Sequence, residues 1–158
     1  MAAITPVLWF DLEGKEAVDF YVATFPNSRI LAESQYPQGG PLPAGTWLTI
    51  DFELNGLRLQ ALNGGPGHPF TDAISLSMQV DGQAEVDRLW EAITGNGGEE
   101  GPCGWARDRF GLWWQVVPKG MGALIGDPDP GRASRAMNAM MQMKKIDLAV
   151  IQAAADAA

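Results

Sequence analysis

Two segments of this chain carry the same apolar stripe 68 residues apart, Val18, Tyr21, Val22 and Phe25 in the first and Val86, Leu89, Trp90 and Ile93 in the second. The i, i+3, i+4, i+7 spacing gives an amphipathic helix in each case, from about Glu13 to Phe25 and from about Gln83 to Ile93. Asp19 and Asp87 keep the same offset. A strand-like run precedes each helix, Ile4 to Phe10 and Ile74 to Val80, so a strand-then-helix unit occurs twice. A chain built this way is constrained to a duplicated module, with Ser75 standing where Val7 stands.

Between the helices lies the strongest hairpin signal. Thr46 to Leu54 and Leu57 to Leu62 alternate as strands, and Asn55-Gly56 between them is the pair a two-residue type I′ turn demands. That turn fixes the register. Ile50, Phe52, Leu54, Leu57, Leu59 and Ala61 should share a core face, leaving Trp47, Thr49, Asp51, Glu53, Arg58 and Gln60 on the other. This second face is mixed, suited either to solvent or to lining a ligand. Ser28 to Tyr36 reads as a further strand, and the breakers from Pro37 to Pro41 as a loop. Asn63-Gly64-Gly65-Pro66 is either a connection between modules or a set of backbone N–H groups for an anion. In the same loop His68 could serve as a general base or simply stand in solvent.

Cys103 to Pro118 reads as strand, tight turn, strand. Asp108 and Gly111 suit the turn, because an Asp side chain bonds nearby backbone and Gly accepts positive φ. Leu112 to Val117 is aromatic and β-branched and stops at Pro118, which has no ladder donor. Alternation places Trp113, Gln115 and Val117 on one face. Gln115 is the odd member, an amide that needs a partner from the fold or from a ligand, since leaving it unpaired in a buried setting costs about 1–3 kcal/mol. Cys103, with Arg107 nearby, is a candidate nucleophile or a half-buried strand cysteine.

After Pro118 the composition changes. Gly120 to Gly126 has glycines near dinucleotide-loop spacing, but Ile125 occupies the third glycine's place. Arg132 to Met143 and Ile146 to Ala157 read as helices. Met137, Met140, Met141 and Met143 on them suit a core or subunit contact more than a promiscuous groove. The length of 158 residues fits one well-buried core with a tail, divided here as 1–118, with modules at about 4–64 and 73–118, and a linker with C-terminal helical tail over 119–158. A net charge of −8 argues against nucleic acid or an anionic membrane as partner. One cysteine excludes an internal disulfide, and one histidine excludes a multi-His metal site within a single chain. No apolar run approaches the roughly 20 residues of a membrane span, and a cytoplasmic protein is expected.

The stretches Thr5-Pro6-Val7-Leu8-Trp9-Phe10-Asp11, Ala61-Leu62-Asn63-Gly64-Gly65-Pro66, Cys103-Gly104-Trp105, Trp114-Gln115-Val116-Val117-Pro118 and Met141-Gln142-Met143-Lys144-Lys145 together resemble a PhnB-like member of the vicinal-oxygen-chelate superfamily. That superfamily holds glyoxalases, bleomycin-resistance proteins and extradiol dioxygenases. The resemblance runs from about Ile4 to Lys145 and implies an α+β fold of paired βαβββ modules, their sheet curved round a cleft, in a bacterial, cytoplasmic homodimer. Proteins of this group are often described as 3-demethylubiquinone-9 3-methyltransferases. The family's metal enzymes place His, His and Glu on the first strand of each module and on the last strand. Carried over, those positions fall around Pro6 to Leu8, Ser75 and Gln115, which lack the carboxylate or imidazole a tightly held cation requires. No cofactor is therefore expected, and a divalent metal lacks support at these positions. On the matching faces Trp9, Ser75, Ser77, Trp113, Gln115, Asp51 and Gln60 would line the cleft. Two functions follow as hypotheses. One is an enzyme, a lyase, isomerase or hydrolase using Gln115, Ser75 and His68 for polarisation and proton transfer, or alternatively a metal-dependent lyase, isomerase or dioxygenase of the same superfamily. The other is a small-molecule binding protein in which aromatic positions such as Trp105 and Trp113 carry affinity.

Overall fold

The computed structural model describes residues 4–157, so residues 1–3 and 158, at the ends of the expected domain and tail, lie outside the described residues. The chain divides into two compact units, residues 1–69 and 70–158. In the first unit the order is β1 (Val7–Phe10), α1 (Gly14–Thr24), β2 (Arg29–Gln35), β3 (Trp47–Leu54) and β4 (Leu57–Asn63). The sheet runs β1-β4-β3-β2, with β1 parallel to β4 and the other pairs antiparallel. Asn55 and Gly56 both take positive φ, 45° and 90°, as the type I′ turn requires. Ile50, Phe52, Leu54, Leu59 and Ala61 are buried under α1, which contributes Val18, Tyr21 and, just past its end, Phe25. Burying each of the large aliphatic and aromatic side chains among them stabilises the unit by about 1.5–3 kcal/mol. Leu57 departs from the expected core face and is 47% exposed. It follows the turn directly and leads out of the hairpin's tip, with solvent beside it.

The start of α1 is set by a distant residue. Gly14 N–H donates to Asn63 Oδ1 at 2.8 Å, and Asn63 is buried, its amide also bonding the Trp47 carbonyl. A Cβ on Gly14 would stand 2.5 Å from that oxygen, so the helix start needs glycine. One free donor of the first turn is thus satisfied from β4.

The second unit repeats the plan. Its elements are β5 (Leu76–Val80), α2 (Gly82–Thr94), β6 (Glu99–Glu100), β7 (Trp105–Arg107) and β8 (Trp113–Pro118), ordered β5-β8-β7-β6, again with the first and last strands parallel. Both units are βαβββ and the fold is α+β, as the repeat implies. The strand offset differs from the helix offset. Counted back from the last pairs of the two parallel ladders, Phe10 with Asn63 and Val80 with Pro118, the pair Val7–Gln60 matches the pair Ser77–Gln115, so Ser77, rather than Ser75, holds the position of Val7. The cause is the shorter β5–α2 connection: Phe10 to Gly14 is a wider gap than Val80 to Gly82. Ile74 and Ser75 lie just outside β5.

Three helices complete this unit, α3 (Met121–Ile125), α4 (Pro130–Met141) and α5 (Leu148–Asp156). Asp129 caps α4 ahead of Pro130, and Asp147 caps α5. Leu124, Ala136, Ile146, Ile151 and Ala155 make their own buried cluster, with Met121, Met140 and Met143 packed against it. Met137 and Met141 are exposed instead. Gln83 of α2 donates to the Ile146 carbonyl and accepts from Leu148 N–H, which ties the tail to the module. Among the described residues no helix is long and apolar enough to cross a membrane.

Candidate ligand-binding site

Asp108 builds the turn that presents the site. Its Oδ1 accepts from the N–H groups of Phe110 and Leu112 at 2.9 and 3.0 Å, and its Oδ2 from the Trp114 indole at 2.8 Å. The side chain is 1% exposed. Gly111 completes the turn at φ 92°. With Trp114 and Val116 committed to the core, alternation turns Trp113, Gln115 and Val117 to the opposite, half-exposed face. Sequence reasoning placed Asp108 in the turn but not its grip on Trp114, which is visible only once β8 is folded back.

On that face Gln115 Nε2 donates to Ser75 Oγ at 2.8 Å. Ser77 stands beside Gln115 on β5 and Trp105 opposite it on β7. The Trp105 and Trp113 rings meet edge to face, 6.3 Å apart at 62°. Arg107, next along β7, is ion-paired with Glu99, and its Nε is buried with no hydrogen-bond partner. Five of the expected ligand residues, Ser75, Ser77, Trp105, Trp113 and Gln115, are therefore brought together on one sheet face. It offers indole walls, an amide and two hydroxyls.

Asp51, Gln60, Trp9 and His68 belong to the first unit, Cys103 to the second. On the first sheet Gln60 Nε2 donates to Asp51 Oδ1 at 2.7 Å, beside a pocket of about 300 Å³. By register Gln60 holds in its unit the position that Gln115 holds in the second. Trp9 donates from Nε1 to the Gly65 carbonyl, and its ring lies 4.4 Å from that of His68, tilted by 53°. The N–H groups of Gly64 and Gly65 bond the carbonyls of Phe10 and Asp11, so they serve the connection between elements and not an anion. Cys103 is not in a strand. It sits in a turn at φ 55°, its N–H bonded to the Met143 carbonyl and its Sγ 3.7 Å from Met141 Sδ. The tail claims this backbone, since Gly104 N–H likewise bonds the Lys144 carbonyl.

In the first unit the pKa of Lys15 is raised, first by its hydrogen bond to Asp19; the other resolved electrostatic shifts belong to the frame of the second unit. Glu100 is held below the usual carboxylate range, first by the Trp90 indole N–H and then by Lys144. Asp87 is lowered by Lys145 and then by Gln83. Both carboxylates fasten the Lys144-Lys145 segment to the module.

The donor set at Gln115 does not fit a transition metal. A neutral amide and two hydroxyls hold such ions weakly, and the amide nitrogen already faces Ser75. Among the described residues no group of three or more His, Cys, Asp or Glu could hold a metal ion.

A family model described as 3-demethylubiquinone-9 3-methyltransferase matches residues 2–117. Helices α3 to α5 lie beyond that match. Among solved structures, the chain is similar to a putative 3-demethylubiquinone-9 3-methyltransferase, PhnB protein, from Bacillus cereus, at 28% identity and TM-score 0.66, covering 74% of this chain and 99% of that one. A protein from Pseudomonas aeruginosa matches at 24% identity and TM-score 0.60, over 75% of this chain and 98% of the other. A mutant fosfomycin resistance protein, FosX, from Listeria monocytogenes, complexed with Mn(II) and 1S,2S-dihydroxypropylphosphonic acid, shares the fold at 18% identity and TM-score 0.52, over 74% and 92% of the two chains. No curated protein matches.

Proposed function

Because the chain belongs to the family described as 3-demethylubiquinone-9 3-methyltransferase and shares the vicinal-oxygen-chelate fold of PhnB and FosX, we propose that it binds a small organic molecule on the open face of the second sheet, without a metal held there. One observation carries the reading. On the half-exposed face of β8, Gln115 bonds Ser75, with Trp105 across from it on β7 and Trp113 two residues before it; the resemblance sets this amide where the family's metal enzymes have a carboxylate. Such a face recognises a planar or aromatic body by stacking and fixes it by hydrogen bonds to the Gln115 carbonyl oxygen and the Ser77 hydroxyl. A thermal-shift and fluorescence screen of aromatic and heteroaromatic compounds on wild type and Trp113→Ala tests this. The expected result is a compound whose response falls about tenfold in affinity in the variant, from the loss of one ring contact and its buried area. Identical responses of the two proteins would remove the assignment.

A second reading is a metal-dependent lyase, isomerase or dioxygenase, favoured by the Mn(II) in the FosX complex. It requires donors other than those at Gln115. Methyl transfer, which the family description suggests, stands third, because the glycine segment after β8 forms the five-residue helix α3 and not a glycine-rich strand-to-helix loop for a nucleotide-like methyl donor. The proposal includes a cytoplasmic homodimer, which light scattering on the purified protein checks as to mass.

A further inference from the structure

We propose that the first unit binds a neutral polyhydroxylated molecule, such as a sugar or a cyclitol, in the cavity between the end of α1 and the β3–β4 turn. The inference goes beyond the reading above, since it concerns the other unit and uses none of the residues expected to line the cleft. The cavity measures about 580 Å³, within the ordinary range of small-molecule sites. Val22 and Phe25 supply its apolar lining, and Asn27, Ser28 and Asn55 most of its neutral polar groups.

Two turns of the chain aim the amides. Asn27 reverses the chain after α1 at φ 52°, and Asn55 reverses the hairpin at φ 45°. Among the described residues neither amide side chain has a hydrogen-bond partner. The Ser28 hydroxyl donates to the Pro26 carbonyl at 3.1 Å, which leaves its oxygen free to accept. Among the described residues the charged side chains lining the cavity are Arg29 and Glu53, strand partners on β2 and β3 that pair at 3.1 Å. The lining is therefore polar and carries no net charge. An ionic ligand has to compete with the Arg29–Glu53 pair, whereas a hydroxyl can donate to the carboxylate or accept from the guanidinium with the pair in place. An amide, a carboxylate and a guanidinium each set two polar atoms side by side, which suits adjacent hydroxyls on a ring. Val22 and Phe25 meet the ring's C–H groups. An apolar molecule leaves the amides unbonded, and a single hydroxyl satisfies only one of them.

The test is an amide NMR titration of the full chain with myo-inositol and with cyclohexanol, the same ring with a hydroxyl on every carbon and with a single one. The expected outcome is that myo-inositol shifts the Asn27, Ser28, Arg29, Asn55 and Gly56 amides at about tenfold lower concentration than cyclohexanol, the gain of one or two net hydrogen bonds. Added sodium chloride should leave that half-saturation unchanged, as a neutral ligand requires. Glycine takes the left-handed backbone of both turns without steric cost, so Asn27→Gly and Asn55→Gly remove the amides and keep the fold, which unchanged resonances elsewhere establish. Each variant should raise the myo-inositol half-saturation about fivefold, the loss of about one net hydrogen bond. Equal half-saturation for the two rings, absent shifts or shifts centred elsewhere, a strong salt dependence, or indifference to both variants would overturn the proposal. Failure here leaves the Trp113 screen unaffected, since that screen reads the second unit.

Discussion

Replacing Asp108 by alanine should loosen the whole presenting edge of the second sheet, and the size of the effect follows from its three hydrogen bonds. Leu112 N–H and the Trp114 indole are buried donors, and Phe110 N–H is partly buried. Each buried donor left unsatisfied costs about 1–3 kcal/mol, so the variant should lose roughly 3–6 kcal/mol, a large part of the roughly 5–15 kcal/mol that holds a typical domain. Asp108→Asn separates the contributions. Its carbonyl can still serve the two backbone N–H groups, but its NH2 would face the Trp114 indole donor, at a cost of about 1–3 kcal/mol. Urea unfolding followed by near-ultraviolet circular dichroism measures both, with an unchanged denaturant slope showing that stability and not compactness has changed. Hydrogen exchange of the β7 and β8 amides should rise in step. A loss below about 1 kcal/mol in the alanine variant would refute the reasoning, because it would mean that solvent or a shifted neighbour satisfies those donors in the folded chain.

Gly64→Ala puts a Cβ 2.3 Å from Trp9 Cζ2, so the indole must move. The Trp9 indole proton signal and the His68 ring protons should both shift, and stability should fall by about 1–3 kcal/mol; unmoved signals would mean the strand gives way instead. In the tail, Asp127 is lowered first by the Asp129 N–H and then by Arg132, and Asp156 by Gln152 and then by Arg132. A depressed folded-state pKa stabilises above the unfolded value of about 3.9 and is lost as pH falls through the folded value. Hydrogen exchange in α3 to α5, corrected for intrinsic rates, should therefore stay slow from neutral pH to about 4 and quicken below it, and Arg132→Met should shrink that step. Gly104→Ala, at φ 84° with its added Cβ 3.0 Å from Ile146 Cγ1 and the Val116 carbonyl, should lower the melting temperature and expose Met143; an unchanged melting temperature would show that the tail docks without this close approach.

The parts of the fold legible in the sequence are those set by local chemistry. Asn55-Gly56 dictates its turn, the two helical stripes announce a duplication, and the Asp108 to Gly111 turn reads from its residue types. Positions that depend on the length of connections were not legible. The equivalence of Gln60 and Gln115, and of Val7 and Ser77, emerges from strand register, which the shorter β5–α2 connection displaces from the helix offset. Strand β6 consists of Glu99 and Glu100, which carry no strand signal and pair only because β7 lies beside them. Cys103 reads as a strand residue until the tail supplies the Met143 carbonyl that holds it in a turn. At the site, sequence alone left Gln115 waiting for a partner in the fold or in a ligand. Ser75 supplies one, across 40 residues of chain, and the proposed reading gives the amide's carbonyl oxygen to a ligand.

The central claim is that the Gln115 face takes an organic ligand and holds no metal, and it is tested most directly by elemental mass spectrometry of the protein. Expression would be in medium supplemented with zinc, manganese, iron, nickel and magnesium, with purification free of chelator and affinity tag. The account predicts no ion retained in proportion to protein, and a wild-type content that Gln115→Leu leaves unchanged. An ion retained near one equivalent per chain, and lost in Gln115→Leu, would contradict it and make the protein a metal-dependent member of its family.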